Sequence, residues 1–301
     1  MRLRLYENYR FVLYAPFYAA HALGAYTAEG LTVELLPSPG SGLAEAALLD
    51  GTVDVIWAGP MRVMKHHDMY PDSELVCFAE IVCRDPFSIV GGRPNLDFRL
   101  ADLASIRFAT VSEVPTPWLC LQSDLRQAGV DPERLDRIAD SGMAENLEGL
   151  RAGRIAAVQL FEPFVEHALT SGIGYLWYQA SAYGRTTYTA FVTTRERLVH
   201  DAQPLLRMAK AIYRTQRWMH ARSAGEIAMA IASFFPTLDR AVLARAIARY
   251  QTQLVWGRDP VLPKGGFDRL QRCLVSSGFI RGPVDYAACV DNILAHRVLA
   301  E

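Results

Sequence analysis

The chain predicts an α/β fold of two similar lobes followed by a helical C-terminal region, and three observations carry that prediction. Short β-branched runs alternate with helical segments across the first 195 residues, the pattern of βαβ units around parallel sheets. A passage that reads helix end, glycine, polar residue, strand start occurs twice, at 47–55 around Gly51 and at 149–157 around Gly153. Beyond Arg195 the apolar periodicity is that of helices.

Taken in order, residues 2–6 alternate as a short strand, and 16–29 reads as a helix with Pro16 suited to its first turn. Gly30 punctuates, and 31–36 is a strand. Loop 37–42, rich in Pro, Ser and Gly, leads to a short helix at 43–49 and a strand at 53–57. The pattern returns with a strand at 106–111 and a Pro-containing turn at 112–117. That turn opens a helix ending near Gly129. A weak strand at 135–138, a helix at 145–151 and a strand at 155–160 complete the second unit. Two long apolar stretches, 75–90 (interrupted by Arg84-Asp85-Pro86) and 186–194, read as strands passing between the lobes. Lobe one is therefore expected at 1–88 plus 186–301 and lobe two at 93–182, with crossing segments near 84–92 and 178–186. The tail reads as helices at 195–221, 224–235, 239–253, 267–276 and 285–300.

Composition narrows the function. The 301 residues hold 31 Lys+Arg against 32 Asp+Glu, a net charge of -1, which offers no basic stripe for a phosphate backbone. An apolar fraction of 51% supports folded cores rather than disorder. The longest stretches free of Asp, Glu, Lys and Arg are 11–28 and 167–184; both are broken by glycine and carry several tyrosines, so no membrane span is expected. The first residues alternate as a strand and show no leader. The chain as it stands reads as cytoplasmic, and as periplasmic if a leader has been removed. Five scattered cysteines (Cys77, Cys83, Cys120, Cys273, Cys289) form no metal spacing and no disulfide framework, and read as buried thiols. His66-His67-Asp68 invites a metal reading, but adjacent helical histidines diverge by about 100°. Neither a metal nor a cofactor is expected. No hydrolase, zincin, P-loop or Rossmann motif appears, and no catalytic set is assigned.

The passage from Ala15-Pro16-Phe17-Tyr18-Ala19 through Gly24 and Tyr26 to Glu29-Gly30-Leu31 resembles the opening of a known group. These are the substrate-binding proteins of the nitrate/sulfonate/taurine and thiamine-pyrimidine type that serve ABC transporters. Residues 40–54, 103–111 and 149–163 resemble its later blocks, in the same order. The resemblance implies a two-lobed periplasmic-binding-protein-like fold of type II, with a small ligand held in the cleft between lobes and a permease as partner. It also raises an enzymatic alternative, because the pyrimidine synthases of thiamine biosynthesis, like some decarboxylase-type proteins, share this fold. Those synthases consume an active-site histidine, whose position falls near Arg62 here, and no cysteine cluster follows Tyr178. Where the family has Asn-Trp after its first strand, this chain has Glu7-Asn8, and both are candidate ligand contacts.

Ligands of open parallel sheets bind beyond the carboxyl ends of strands, where helix N-termini present free N–H groups. That rule selects the candidates. Ser41 lies in the first such loop, and Glu113 and Thr116 lie in its counterpart, a loop that the resemblance places at the cleft. Tyr9, Tyr14, Trp57, Trp118 and Tyr188 are rings near strand ends and turns, suited to a flat heteroaromatic ligand. Glu7, Glu113 and Glu162 are strand-end carboxylates able to accept hydrogen bonds from an amino group. With carboxylates outnumbering the nearby Arg62 and Arg185, an amino-bearing or neutral heteroaromatic ranks above a sulfonate or nitrate. The resemblance adds a thiamine precursor.

Overall fold

The computed structural model describes residues 1–40 and 43–301. Ten strands form two five-stranded sheets. The first sheet holds β1 (Arg2–Glu7), β2 (Thr32–Pro37), β3 (Val55–Ala58) and β4 (Leu75–Val82), and the next strand, β5 (Ser88–Gly91), enters the second. There it joins β6 (Phe108–Ala109), β7 (Arg137–Ile138), β8 (Ala157–Leu160) and β9 (Tyr175–Gln179), before β10 (Thr189–Thr194) returns to the first. The orders are β2-β1-β3-β10-β4 and β7-β6-β8-β5-β9, the same arrangement in each sheet. The duplicated helix–glycine–strand passages lead into β3 and β8, which hold the same third place.

Each sheet departs from the all-parallel expectation at one place. β1 pairs in parallel with β2 and β3, and β6 with β7 and β8. β10, however, is antiparallel to β3 and β4, and β5 to β8 and β9. Both inserted strands arrive from the other sheet, so they enter from the opposite end. Local periodicity carries no trace of that direction. β1 alternates because one face is buried through Leu3, Leu5 and Glu7, whereas every residue of β3, β4, β5 and β10 is buried and shows no alternation.

Three predicted helices are divided. The helix expected at 16–29 breaks at Gly24, whose φ of +65° a glycine adopts without strain, leaving helices Ala15–Ala22 and Ala25–Ala28. The helix expected at 195–221 is split at Asp201 into Arg195–His200 and Ala202–His220. Residues 285–300 contain Tyr286–Cys289 and Ile293–Leu299, separated where Val290 bridges to Cys77.

The helical tail packs mainly on the first sheet and its helices but reaches the second unit twice. Helix Arg240–Thr252 packs on Phe164–Thr170, and helix Lys264–Ser276 packs on Thr116–Gln127. At the first bridge Arg249 donates to Glu162 (2.5 Å) and Glu166 (2.9 Å), Arg245 also pairs with Glu166, and the Tyr250 hydroxyl accepts from the Glu162 N–H at 3.0 Å. At the second, Arg269 pairs with Asp124 at 3.4 Å. All five cysteines are buried and unpaired by disulfides. Among the described residues no helix is long and apolar enough to cross a membrane.

Candidate functional site

A cavity enclosing about 670 Å³, its open mouth included, lies where strand ends of the two sheets face each other. The first sheet supplies Asn8 and Tyr9 just after β1, Gly59, Met61 and Arg62 just after β3, and Tyr188 and Thr189 at the start of β10. Phe11, Leu13 and Tyr14 follow from the short turn that opens helix Ala15–Ala22. The second sheet supplies Glu113, Val114, Pro115 and Thr116 after β6, Phe161 after β8, and Met143 at the start of helix Met143–Arg151; Phe87 comes from the crossing segment.

Two acceptor oxygens and one hydroxyl of this lining are buried without a partner, and Arg62 brings a cation to the same cavity. Asn8 Nδ2 donates to the Trp57 carbonyl at 2.8 Å, which fixes the amide, while its Oδ1 is buried without a partner. Glu113 Oε1 accepts from the Met143 N–H at 2.8 Å, holding the start of that helix, while its Oε2 is likewise buried and unpartnered. Gly142 makes room for this contact, since a Cβ there would come within 3.0 Å of Glu113 Oε1. The Tyr188 hydroxyl is the third unpartnered group, and burial pushes its pKa well above the ordinary tyrosine value. Burial likewise raises Tyr14, whose hydroxyl meets that of Thr189. Arg62 lies 3.9 Å from Glu45.

Of the residues predicted from sequence, Asn8, Tyr9, Tyr14, Glu113, Thr116 and Tyr188 come together on this cavity. Ser41 falls outside the described residues. The other four lie elsewhere. Trp57 is fully buried and stacks on Phe17 with ring centroids 4.4 Å apart, so it backs the cavity wall from within the core. Trp118 is turned along its helix beneath the Arg137 guanidinium, 4.1 Å from the ring centre. Glu7 accepts two hydrogen bonds from Arg10 (2.8 and 2.7 Å) and one from Tyr18 (2.6 Å). Burial pushes its pKa up, but those bonds outweigh it and hold the carboxyl below its ordinary value. Glu162 is buried in the Arg249 bridge, with its pKa raised by burial against the pull of that cation.

Sequence reasoning passed over Phe11, Leu13, Met61, Phe87, Met143 and Thr189 as site residues, while Val114 and Pro115 belong to the turn it singled out. Met61 and Met143 carried a usable signal, because each opens a helix directly after a strand-end loop. His66 and His67 bond in different directions, to Ser73 and to the Leu75 carbonyl. Arg185 pairs with the buried Glu80 at 2.5 Å.

Comparison with known proteins places this geometry. Residues 93–233 match the model of the NMT1-like family. The chain is 25% identical over 302 aligned positions to YtlA of Bacillus subtilis (strain 168), named as a binding protein, covering 100% of this chain and 90% of that one. The alkanesulfonate-binding protein SsuA from Xanthomonas axonopodis pv. citri, solved with MOPS, superposes with a TM-score of 0.72 at 16% identity, over 97% of this chain and 98% of SsuA. The chain has the periplasmic binding protein fold. The family resemblance read from its opening residues stands. The same fold also carries an enzyme: the desulfurization enzyme DSZB superposes with a TM-score of 0.69 at 14% identity, covering 99% of both chains.

Proposed function

We propose that this protein is a solute receptor whose two lobes close on a small, flat, amino-bearing organic molecule and present it to an ABC permease. The observation that carries the reading is the set of three buried polar groups on one cavity, Asn8 Oδ1, Glu113 Oε2 and the Tyr188 hydroxyl, each without a partner. An orphaned buried acceptor costs about 1–3 kcal/mol, and a ligand with N–H donors removes that cost on binding. Sulfonate or nitrate, rich in acceptors, would face Asn8 and Glu113 with like polarity. The rings of Tyr9, Tyr14, Phe87 and Phe161 suit the faces of a heteroaromatic, and an aminopyrimidine of the thiamine-precursor class combines both features. We place the lobes at 1–88 plus 186–301 and at 93–182, with closure about 84–92 and 178–186, because a ligand touching both walls favours the closed population by its differential affinity.

The enzymatic alternative draws support from the likeness to DSZB, but the lining argues against it. Among the described residues it contains no histidine, cysteine or lysine to serve as nucleophile or base. A thermal-shift screen of aminopyrimidines, sulfonates, aromatic carboxylates and nitrate, followed by calorimetry on the hit, tests the proposal. An aminopyrimidine should raise the unfolding midpoint and, by small-angle scattering, compact the protein. Binding confined to strongly anionic, non-aromatic compounds would overturn it.

A further inference from the structure

Where helix Lys264–Ser276 packs on helix Thr116–Gln127, the tail and the second unit bring two thiols together. Cys120 comes from the second unit and Cys273 from the tail, and both are buried in one apolar cluster with Leu119, Leu270 and Leu274. The two side chains hydrogen-bond each other across the helix pair. Their surroundings differ. Cys273 lines an open groove with Ser123, Gln127, Arg269 and Arg272, whereas Cys120 stays outside that lining. Neither cysteine lines the cavity described above.

We propose that Cys120 and Cys273 are an oxidisable pair, a modification site at which a hydroperoxide converts two thiols into a disulfide that ties the second unit to the helical tail. Cys273 is the thiol placed to react, because it is the one that meets the groove. The hydrogen bond from Cys120 favours its thiolate, and Ser123 and Arg269 add to that effect. Together they outweigh burial and the Asp124 charge and hold its pKa below the ordinary thiol value. Cys120 goes the other way: its bond to Cys273, its burial and the charges of Asp85 and Asp124 all favour the protonated form. That asymmetry separates an attacking cysteine from a resolving one. Cys77 and Cys289 are also neighbours, but burial raises both thiols, and Cys83 with them.

The chemistry balances with hydrogen peroxide as oxidant. The Cys273 thiolate attacks one oxygen, the O–O bond breaks, and Cys273 becomes a sulfenic acid while the other oxygen takes up a proton and leaves as water. The Cys120 sulfur then attacks the Cys273 sulfur, the S–O bond breaks, and hydroxide leaves with the Cys120 proton as a second water. Two thiols lose two electrons and the peroxide gains them. Helix Thr116–Gln127 begins at Thr116, which lines the ligand cavity. On the proposed function, on which this consequence rests, the bond would hold the receptor shut.

The test is oxidation of the reduced full chain with a small molar excess of hydrogen peroxide, read by intact mass, thiol titration in denaturant and non-reducing peptide mapping. The mass should fall by about 2 Da, two of the five free thiols should disappear, and the map should show Cys120 linked to Cys273. The thermal unfolding midpoint should rise by about 3–10 °C, and dithiothreitol should return both mass and midpoint. Cys120→Ser removes the resolving thiol and should leave Cys273 as a sulfenic acid that dimedone captures, and Cys273→Ser should form no bond. Retention of all five thiols in the wild-type protein would overturn the inference. So would a bond between another pair, or a midpoint that stays put once Cys120 and Cys273 are linked. The wild-type measurements decide the question even if a serine variant fails to fold. None of them uses a solute, so their failure is distinct from a failure of the proposed function.

Discussion

The two walls of the candidate cavity follow the same strand-end rule and are built from different materials. The first-sheet wall stands on solid core: Trp57 and Phe17 stack directly behind Tyr14, and Trp57 also meets Tyr18 edge-on. Its contribution is shape and ring surface, with Asn8 Oδ1 and the Tyr188 hydroxyl as polar points. The second-sheet wall is built on a turn, Glu113 to Thr116, whose carboxylate accepts one bond from the Met143 N–H at the start of helix Met143–Arg151. The difference separates two tasks. On the proposed function, the first wall would set which outline fits, and the second which charge is welcome.

If that division is right, damage behind the first wall should appear as lost stability. Trp57→Ala removes a fully buried ring from the stack with Phe17 and should cost about 3–5 kcal/mol by urea unfolding. A Trp57→Ala protein of near wild-type stability with selectively weakened ligand binding would break the comparison, by showing that Trp57 belongs to the recognition surface itself.

The segments joining the walls carry the next effect. Burial raises both Glu80, beside Arg185, and Asp85 to about 8. In the unfolded chain these groups ionise near 4. Between roughly pH 4 and 8 the native state therefore binds more protons than the unfolded one, so stability falls as pH rises through that window. Urea unfolding at pH 5.5 and 8 should show a drop of order a few kcal/mol, and Asp85→Asn should remove about half of it, leaving the part that Glu80 contributes. A stability that climbs over this range would show that both carboxylates are ionised in the native protein.

Much of this arrangement was legible in the sequence, and the remainder fails for identifiable reasons. The alternation of β1, the glycines that follow helices at Gly30, Gly51, Gly129 and Gly153, and the repeated passage before β3 and β8 are local signals, and local signals survive in one chain. Strand direction is not local. β5 and β10 are antiparallel insertions because each comes from the other sheet, and nothing within Ser88–Gly91 or Thr189–Thr194 records that. Among the candidate residues, Asn8, Tyr9 and Glu113 reach the cavity, and each follows a strand or opens a turn. Trp57 misled because all four residues of β3 are buried, so no alternation tells which face a ring takes. Glu162 misled because its partner Arg249 is 87 residues away.

The charge of the second wall sharpens the comparison at a smaller scale. Glu113→Gln keeps an oxygen for the Met143 N–H but loses the negative acceptor, and should weaken binding of an aminopyrimidine by about 10–100-fold, the equivalent of a charged hydrogen bond. Tyr188→Phe, on the first wall, removes a hydroxyl that has no partner in the protein. It should leave stability unchanged or slightly raised and weaken binding by about 3–10-fold, the scale of a neutral hydrogen bond. Calorimetry on both variants ranks the walls. A larger loss for Tyr188→Phe than for Glu113→Gln would reverse their roles.

The smallest effect is expected at Trp118, and it tests whether nearness in sequence to the second wall means anything for recognition. Trp118 is two residues beyond Thr116, yet its ring lies under Arg137 and away from the cavity lining. It is half-buried, packed against the cluster around Phe108 and Leu121 rather than within it. A cation–π contact of this kind contributes about 0.5–1 kcal/mol, and the ring's remaining exposure limits what its burial adds. Trp118→Ala should therefore lower stability by about 1–2 kcal/mol and leave ligand affinity within twofold of wild type. Affinity and unfolding measured on one preparation separate the two readouts. A tenfold loss of affinity at near wild-type stability would mean that the ring swings into the cleft when the lobes close, and the second wall would then recognise shape as well as charge.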